Sequence, residues 1–442
     1  MRLLSRVLLA LTLLGLLSLA VILSDWLPRT SEREQAAMEA LQSDLAQTRG
    51  QRNAADYLRL AAFDLDADLI ATISAEDRAV RSQSRRVAED DYAFTVAEGR
   101  YPKLAPWPQT DWECEVWPDV DDQGCLPRVR SREVEARAML AEHNRWLAIE
   151  TGLIDFDHVR ADMQLALIPM GPPSTGKPVA LAAALQHIDG DTAGALDRLC
   201  IHITSWRQLR AQSNNLITDM LGIAIINRLL RLAAEIAAEV PDLPRPDSCA
   251  AALSLLEDDE LLQCRAFAGE HELWQALLSG ATEEELLLDT PWKALFWNPR
   301  HTRALVALQP ALFCQTTHAD RVARRSLEPP MPGFSCDGWQ RAFNSSGCIV
   351  LNGSNSNDRY YHRVLDLDAR FRLFQLADWI RSQDGHADVS ALLAEMPQEL
   401  RNPAYRFELD AEHDLLRVSQ VDTGHGQWWS LPLWPAASRP EH

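Results

Sequence analysis

The chain has 442 residues, 47% of them hydrophobic, with a formal net charge of −20 and a pI near 5.0. That apolar fraction is enough for a substantial core and excludes global disorder, while the acidic balance argues against nucleic acid, whose phosphates need clustered Lys and Arg. The same charge disfavours electrostatic docking on an anionic membrane surface.

The first element is an uncharged apolar run over residues 7–23, with Val7, Leu8, Leu16 and Leu23 in it, behind Arg2 and Arg6. As a helix it spans roughly 25 Å, close to the hydrocarbon thickness of a bilayer, and it is predicted to be a single-pass anchor. The positive flank places the N-terminus in the cytoplasm and the rest of the chain outside it, which in a bacterium means an inner-membrane protein with a periplasmic C-terminal domain. Ser18, Leu19 and Ala20 offer the small residues of a signal-peptidase site, although a cut there leaves Val21, Ile22 and Leu23 on the mature end. Either reading puts everything after Leu23 outside the cytoplasm.

Residues 25–98 are expected to form a helical stalk or hairpin. Ser31 with Glu34 makes a capping box that opens a charged helix to about Thr48. Beyond Asn53, Tyr57, Leu60, Ala61, Leu65, Leu69 and Ile73 share one helical face, and a second polar helix runs on towards Ala97. Residues 99–130 differ, because Pro102, Pro106, Pro108, Pro118 and Pro127 exclude long regular elements and Trp107, Trp112 and Trp117 crowd around Cys114 and Cys125. This stretch reads as an ordered, stapled loop.

The main helical domain is expected over residues 131–400. A helix runs from Ser131 to about Glu150, and after an irregular segment others begin at Pro178, at Asp191 and at Asn214 or Asn215. The last of these, ending near Val240, is apolar nearly all round and belongs at the centre of a bundle. Short helices over 247–288, one helix from Arg300 to about Arg325, a second Pro, Gly, Ser and Asn-rich loop over 328–357, a long helix from Asp358 to Gln383 and a short one over 389–395 follow. In the tail, residues 401–442, the alternating runs at 405–409 and 415–421 predict a β-hairpin, with 428–434 as a third strand. The fold class is therefore mainly α: a bundle-like periplasmic domain with two disulfide-stapled irregular loops and a small C-terminal β-hairpin, behind one N-terminal transmembrane helix.

Eight cysteines in an oxidising compartment read as staples. The pairs close in sequence are Cys114 with Cys125, Cys249 with Cys264, and Cys336 with Cys348, which leaves Cys200 and Cys314 either joined to each other or as buried thiols. No C-x-x-C spacing is present, so the usual zinc-ribbon and thioredoxin patterns are missing.

Several motifs are near misses. Gly171 to Lys177 has the strand, loop and helix order of a P-loop, but Pro178 stands where a Ser or Thr must hold Mg²⁺, and no nucleotide is expected. Asp119, Asp121 and Asp122 begin like a calcium loop, yet Arg130 occupies the position that needs a bidentate Glu, leaving solvated loop acids as the simpler account. His271, between Glu270 and Glu272, lacks the second histidine of a zincin and reads as a surface helix residue. His187, Asp189 and Asp191 surround Gly190 at a helix junction, where capping explains them. No cofactor or metal is implied. The tryptophans of the stapled loop, with Trp428 and Trp429, either line a carbohydrate or peptide groove or pack their loops onto the domain.

Asn53-Ala-Ala-Asp-Tyr-Leu, Cys114 with Gly124-Cys125-Leu126, and Arg401-Asn-Pro-Ala-Tyr405 leading to Phe407-Glu-Leu-Asp410 resemble a loose group of uncharacterised proteobacterial envelope proteins with one N-terminal span and a helical body. These motifs are short and scattered along most of the chain, and the resemblance implies topology without an activity. The expected function is an envelope binding or scaffold component, held by the lipid bilayer and partnered by another envelope protein. An anchored hydrolase or lyase acting on glycan or peptide is the alternative.

Overall fold

The computed structural model describes residues 10–16, 30–45, 50–83, 95–110, 112, 114, 124–162, 176–280, 297–330, 336, 338, 341, 344–353, 358–383, 388–422, 424 and 427–434. Of the apolar run over 7–23, residues 10–16 are described. They are helical, and Leu11, Leu13, Leu14 and Leu16 are exposed. Among the described residues no helix is long and apolar enough to cross a membrane. Most of the expected anchor, Val7, Leu8 and Leu23 included, lies outside them.

Helix α1 (Glu32–Leu45) begins with the expected capping box, in which Ser31 N donates to Glu34 Oε2 at 2.8 Å and Glu34 N to Ser31 Oγ at 3.2 Å. It is not a solvated stalk. Glu34, Ala37 and Leu41 are buried where α1 lies on the body, and His301 Nε2 is 3.4 Å from Glu34 Oε1.

The single helical face expected over 53–73 is interrupted, giving α2 (Ala55–Arg59) and α3 (Ala67–Gln83). Residues 60–66 leave the helix because their backbone bonds elsewhere: Asp64 N donates to the Pro102 carbonyl and Leu104 N to that of Ala62. Leu60, Phe63, Leu65 and Ile73 then form a small core of their own with Val96 and Ala97. Asp77 closes this lobe from inside, accepting bonds from Arg59, Thr95 and Val96 N.

Helix α4 (Cys125–Ser131) starts inside the expected loop rather than at Ser131, and α5 (Glu133–Glu142) and α6 (Asn144–Gly152) follow it. The early start has a remote cause. Glu235, from a helix distant in sequence, accepts bonds from Cys125 N at 2.9 Å and Leu126 N at 2.7 Å, and Gly124 turns the chain with φ +95° close against that carboxylate. Pro127 fits the first turn, where no N–H is needed.

Helices α7 (Lys177–Ile188), α8 (Thr192–Ala211) and α9 (Leu216–Glu239) form the centre. Asp191 caps α8 through Gly194 N and Asn215 caps α9 through Thr218 N. As its all-round apolar surface requires, α9 is buried along nearly its whole length, against α4, α7, α8 and the later C-terminal elements. Its buried Asp219 is matched by Arg210 Nε at 2.9 Å.

Helices α10 (Ser248–Ala252), α11 (Asp258–Leu261) and α12 (Cys264–Gly280) come next, followed by α13 (Pro299–Ala307) and α14 (Thr316–Ala323). A 3₁₀ turn over Pro310–Cys314 separates the last two, so the single helix expected over 300–325 is broken where Pro310 removes an N–H. Helix α15 (Ser345–Gly353) precedes the long α16 (Asp358–Ser382) and the short α17 (Val389–Glu395). The chain closes with β1 (Phe407–Asp410), β2 (Leu415–Ser419) and β3 (Trp428–Pro432), antiparallel in that order, with Phe407 opposite Val418 and Val418 opposite Trp429. Leu416, Val418, Trp429 and Leu431 are buried on the inner face, where β2 and β3 meet α16 and β3 also meets α9.

All eight cysteines are paired, with a correction to the expected connectivity. Cys114 is joined to Cys125 and Cys336 to Cys348, but Cys249 pairs with Cys200 and Cys264 with Cys314. Cys249 is carried to α8 by Arg207, whose Nη1 donates to the carbonyls of Ala251, Ala252 and Ser254 while Nε and Nη2 bind Glu260.

Candidate functional site

The described pocket is a cavity of about 180 Å³ between the small α2–α3 lobe and α6. Leu60, Phe63, Leu65 and Ile70 supply one apolar wall and Ile149 the other, with Ala61 beside them. Tyr57 spans the two sides, its hydroxyl donating to the Ile149 carbonyl at 3.0 Å. Burial pushes the Tyr57 phenol up, against an opposing effect of Arg145, so it remains a donor at neutral pH.

Polar groups line the cavity as much as apolar ones do. Arg145 Nη2 donates to the Leu65 carbonyl at 2.6 Å and its Nε lies 2.9 Å from Asp64 Oδ1, which ties α6 to the loop between α2 and α3. Asp66 adds an exposed carboxylate. Drug-sized ligands occupy roughly 300 to 1,000 Å³, whereas an apolar cavity of about 150 Å³ accepts benzene. The space therefore suits one group of about benzene or leucine size with an apolar body and a polar edge, held at one end of a larger molecule.

Of the five tryptophans weighed for a groove, four are described. Trp107 is buried with its ring 5.7 Å from that of His143, and Trp112 packs partly buried on the main core. Trp117 lies outside the described residues. Trp429 is buried under the Arg370 guanidinium at 5.5 Å, and Trp428 meets Arg406 and Arg417 at 4.6 and 4.8 Å.

The P-loop look-alike is occupied by the protein itself at its described end. Glu150 Oε1 accepts from Gly176 N at 2.9 Å and Oε2 from Val179 N at 3.3 Å, so a carboxylate holds amides that a phosphate would need. Gly176, with φ +77°, permits that turn into α7. Residues 171–175 and the acidic loop of Asp119, Asp121 and Asp122 lie outside the described residues. Among the described residues no group of three His, Cys, Asp or Glu side chains is placed to hold a metal ion.

His271 corrects another expectation: it is an interior residue of α12, with Nε2 2.7 Å from Gln275 Nε2. Burial holds its pKa down at about 4. At the junction of α7 and α8, Asp191 does cap, Asp189 binds Arg137, and His187 lies between Thr192 and Glu239.

Sequence reasoning placed Tyr57, Leu60, Ala61 and Leu65 on a common apolar face but gave no sign of the cavity, because it needs the break at 60–66 and the remote approach of Arg145 and Ile149. It also missed Glu150 and Glu235 as remote helix caps. Glu235 is buried in α9 with Arg231 3.3 Å away one turn earlier, and a buried carboxylate with oxygens left over for further donors is the signal that a remote N–H can meet it.

No protein-family model matches the chain, and no curated protein and no solved structure matches it.

Proposed function

We propose that the chain is an envelope binding or scaffold component, anchored by residues 7–23 with its body outside the cytoplasm, and that the cavity at Tyr57, Ile70 and Ile149 receives a small side chain of its partner. The cavity is the observation that carries this reading. The cavity has room for one small side chain, and a partner group of matching size seated there removes apolar surface from water while meeting the polar groups of Tyr57 and Arg145. The four disulfides suit an oxidising compartment, which agrees with the orientation read from Arg2 and Arg6. Seating of α1 on the body leaves little free chain between anchor and domain, so the partner is met close to the membrane.

Filling the cavity from within tests the proposal. Ala61→Phe places a ring in the space that the partner's group would use, without adding charge. Burial of one such group is worth about 1.5 to 3 kcal/mol, so affinity should fall about ten- to a hundredfold while the melting temperature stays near that of the parent. Affinity purification from detergent-solubilised membranes checks this. Equal partner recovery with the parent and with a folded Ala61→Phe chain would refute the proposed use of the cavity.

A further inference from the structure

Where α7 ends, α8 begins and α9 ends, three polar side chains are joined in series. His187 Nε2 lies 3.0 Å from Glu239 Oε2, and His187 Nδ1 lies 2.9 Å from Thr192 Oγ1. Arg130 grips the same carboxylate with two donors, at 3.0 Å to Oε1 and 2.8 Å to Oε2. Burial acts to raise the Glu239 pKa, but the bonds from His187 and Arg130 outweigh it and hold the group down at about 2.

An ionised carboxylate has no proton to give, so the proton between it and the imidazole belongs to Nε2. In the neutral ring Nδ1 is then a bare acceptor, and the proton between it and Thr192 is the hydroxyl's. The fold thus aligns a half-buried hydroxyl, a buried base and an ionised carboxylate. Capping does not demand this order, because Asp191 already caps α8 through Gly194 N at 3.0 Å and is itself held by Gln186 Nε2 at 2.7 Å. Thr192 is the first residue of α8, directly after the capping Asp191.

We propose that Thr192 is the nucleophile of a hydrolytic site for small carboxylic esters, with His187 as general base and acid and Glu239 as the group that orients the imidazole. Thr192 Oγ bonds to the ester carbonyl carbon as its proton passes to His187 Nδ1, and the carbonyl π pair moves onto oxygen. When the carbonyl re-forms, the C–O bond to the alcohol breaks and the alkoxide takes the proton from His187. Water then attacks the acyl-threonine with His187 again as base, releasing the carboxylic acid and restoring the hydroxyl. Nucleophile and carboxylate meet the ring nitrogens in the reverse of the usual serine-protease order, and the tautomer argument is unchanged by that exchange.

The test uses the purified full chain and p-nitrophenyl acetate, with Thr192→Val, Thr192→Ser and His187→Gln for comparison. Initial release of p-nitrophenolate is followed, and peptide mass spectrometry locates the acetyl group. The expected result is acetyl on Thr192, activity kept in Thr192→Ser, and initial rates lowered about a hundredfold or more in Thr192→Val and His187→Gln. Acetylation confined to other residues, a Thr192→Val rate within about twofold of the parent, or loss of activity in a folded Thr192→Ser would each overturn the proposal. These readouts are independent of the cavity and of Ala61→Phe.

Discussion

Lowering the pH from 7 to 5 is expected to weaken the fold, with three buried histidines together contributing a loss of about 6 kcal/mol. His202, His271 and His318 are nearly inaccessible, and burial pulls each pKa from 6.5 down to about 4, with help from Arg198 at His202 and Arg321 at His318. The unfolded chain takes up these protons near pH 6.5 and the folded chain only near 4. Stability from this source is thus complete above 6.5, declines as the pH falls, and is exhausted near 4. At pH 5 each histidine accounts for about 2 kcal/mol, and three together approach the whole stability of many domains. Glu270, Glu272 and Asp366, pushed up by burial, gain protons early in the folded state and offset part of the loss.

His318 is the cleanest member to test. Its ring lies 5.1 Å from that of Phe313 and 5.4 Å from that of Tyr361, and neither ring nitrogen has a hydrogen-bond partner among the described residues. His318→Phe keeps a ring in an aromatic stack and removes the titration. Urea midpoints at pH 7 and pH 5 should differ less in this variant, by the equivalent of about 2 kcal/mol. An unchanged difference would mean that His318 does not titrate as its burial requires.

The second large effect concerns connectivity. The Cys200–Cys249 disulfide closes a sequence separation of 49 and the Cys114–Cys125 disulfide one of 11. Loop-closure entropy assigns about 4 kcal/mol to the longer and about 3 to the shorter. Replacing Cys200 and Cys249 together by Ala should therefore cost more than replacing Cys114 and Cys125. Chemical unfolding compares the two, and non-reducing peptide mapping of the parent should find Cys200 with Cys249 and Cys264 with Cys314. A map joining Cys249 to Cys264 would contradict the arrangement.

The elements best read from sequence are those whose signals are local. Asp191 and Asn215 cap α8 and α9 where expected, α16 and α17 follow their periodicity, and the alternation at 407–419 forms strands. Apart from the break at Pro310, the misreadings share one cause, a partner far along the chain. Pairing Cys249 with Cys264 followed from their nearness in sequence, but Arg207 binds the 251–254 carbonyls and sets Cys249 against α8. The start of α4 at Cys125 depends on Glu235, and the burial of α1 on its packing against α12 and α13. The cavity belongs to the same class: Tyr57 and Leu65 were legible as apolar, but Arg145 and Ile149 reach them only in three dimensions.

The use of that cavity by a partner is tested most directly by a photoreactive amino acid at Ile70, activated in intact cells, with Val134, which is 82% exposed, as a control position. The account predicts one dominant crosslink from Ile70 to an envelope protein, absent from Val134 and abolished by Ala61→Phe. Crosslinks of equal yield from both positions, or a dominant Ile70 crosslink that survives Ala61→Phe, would contradict it.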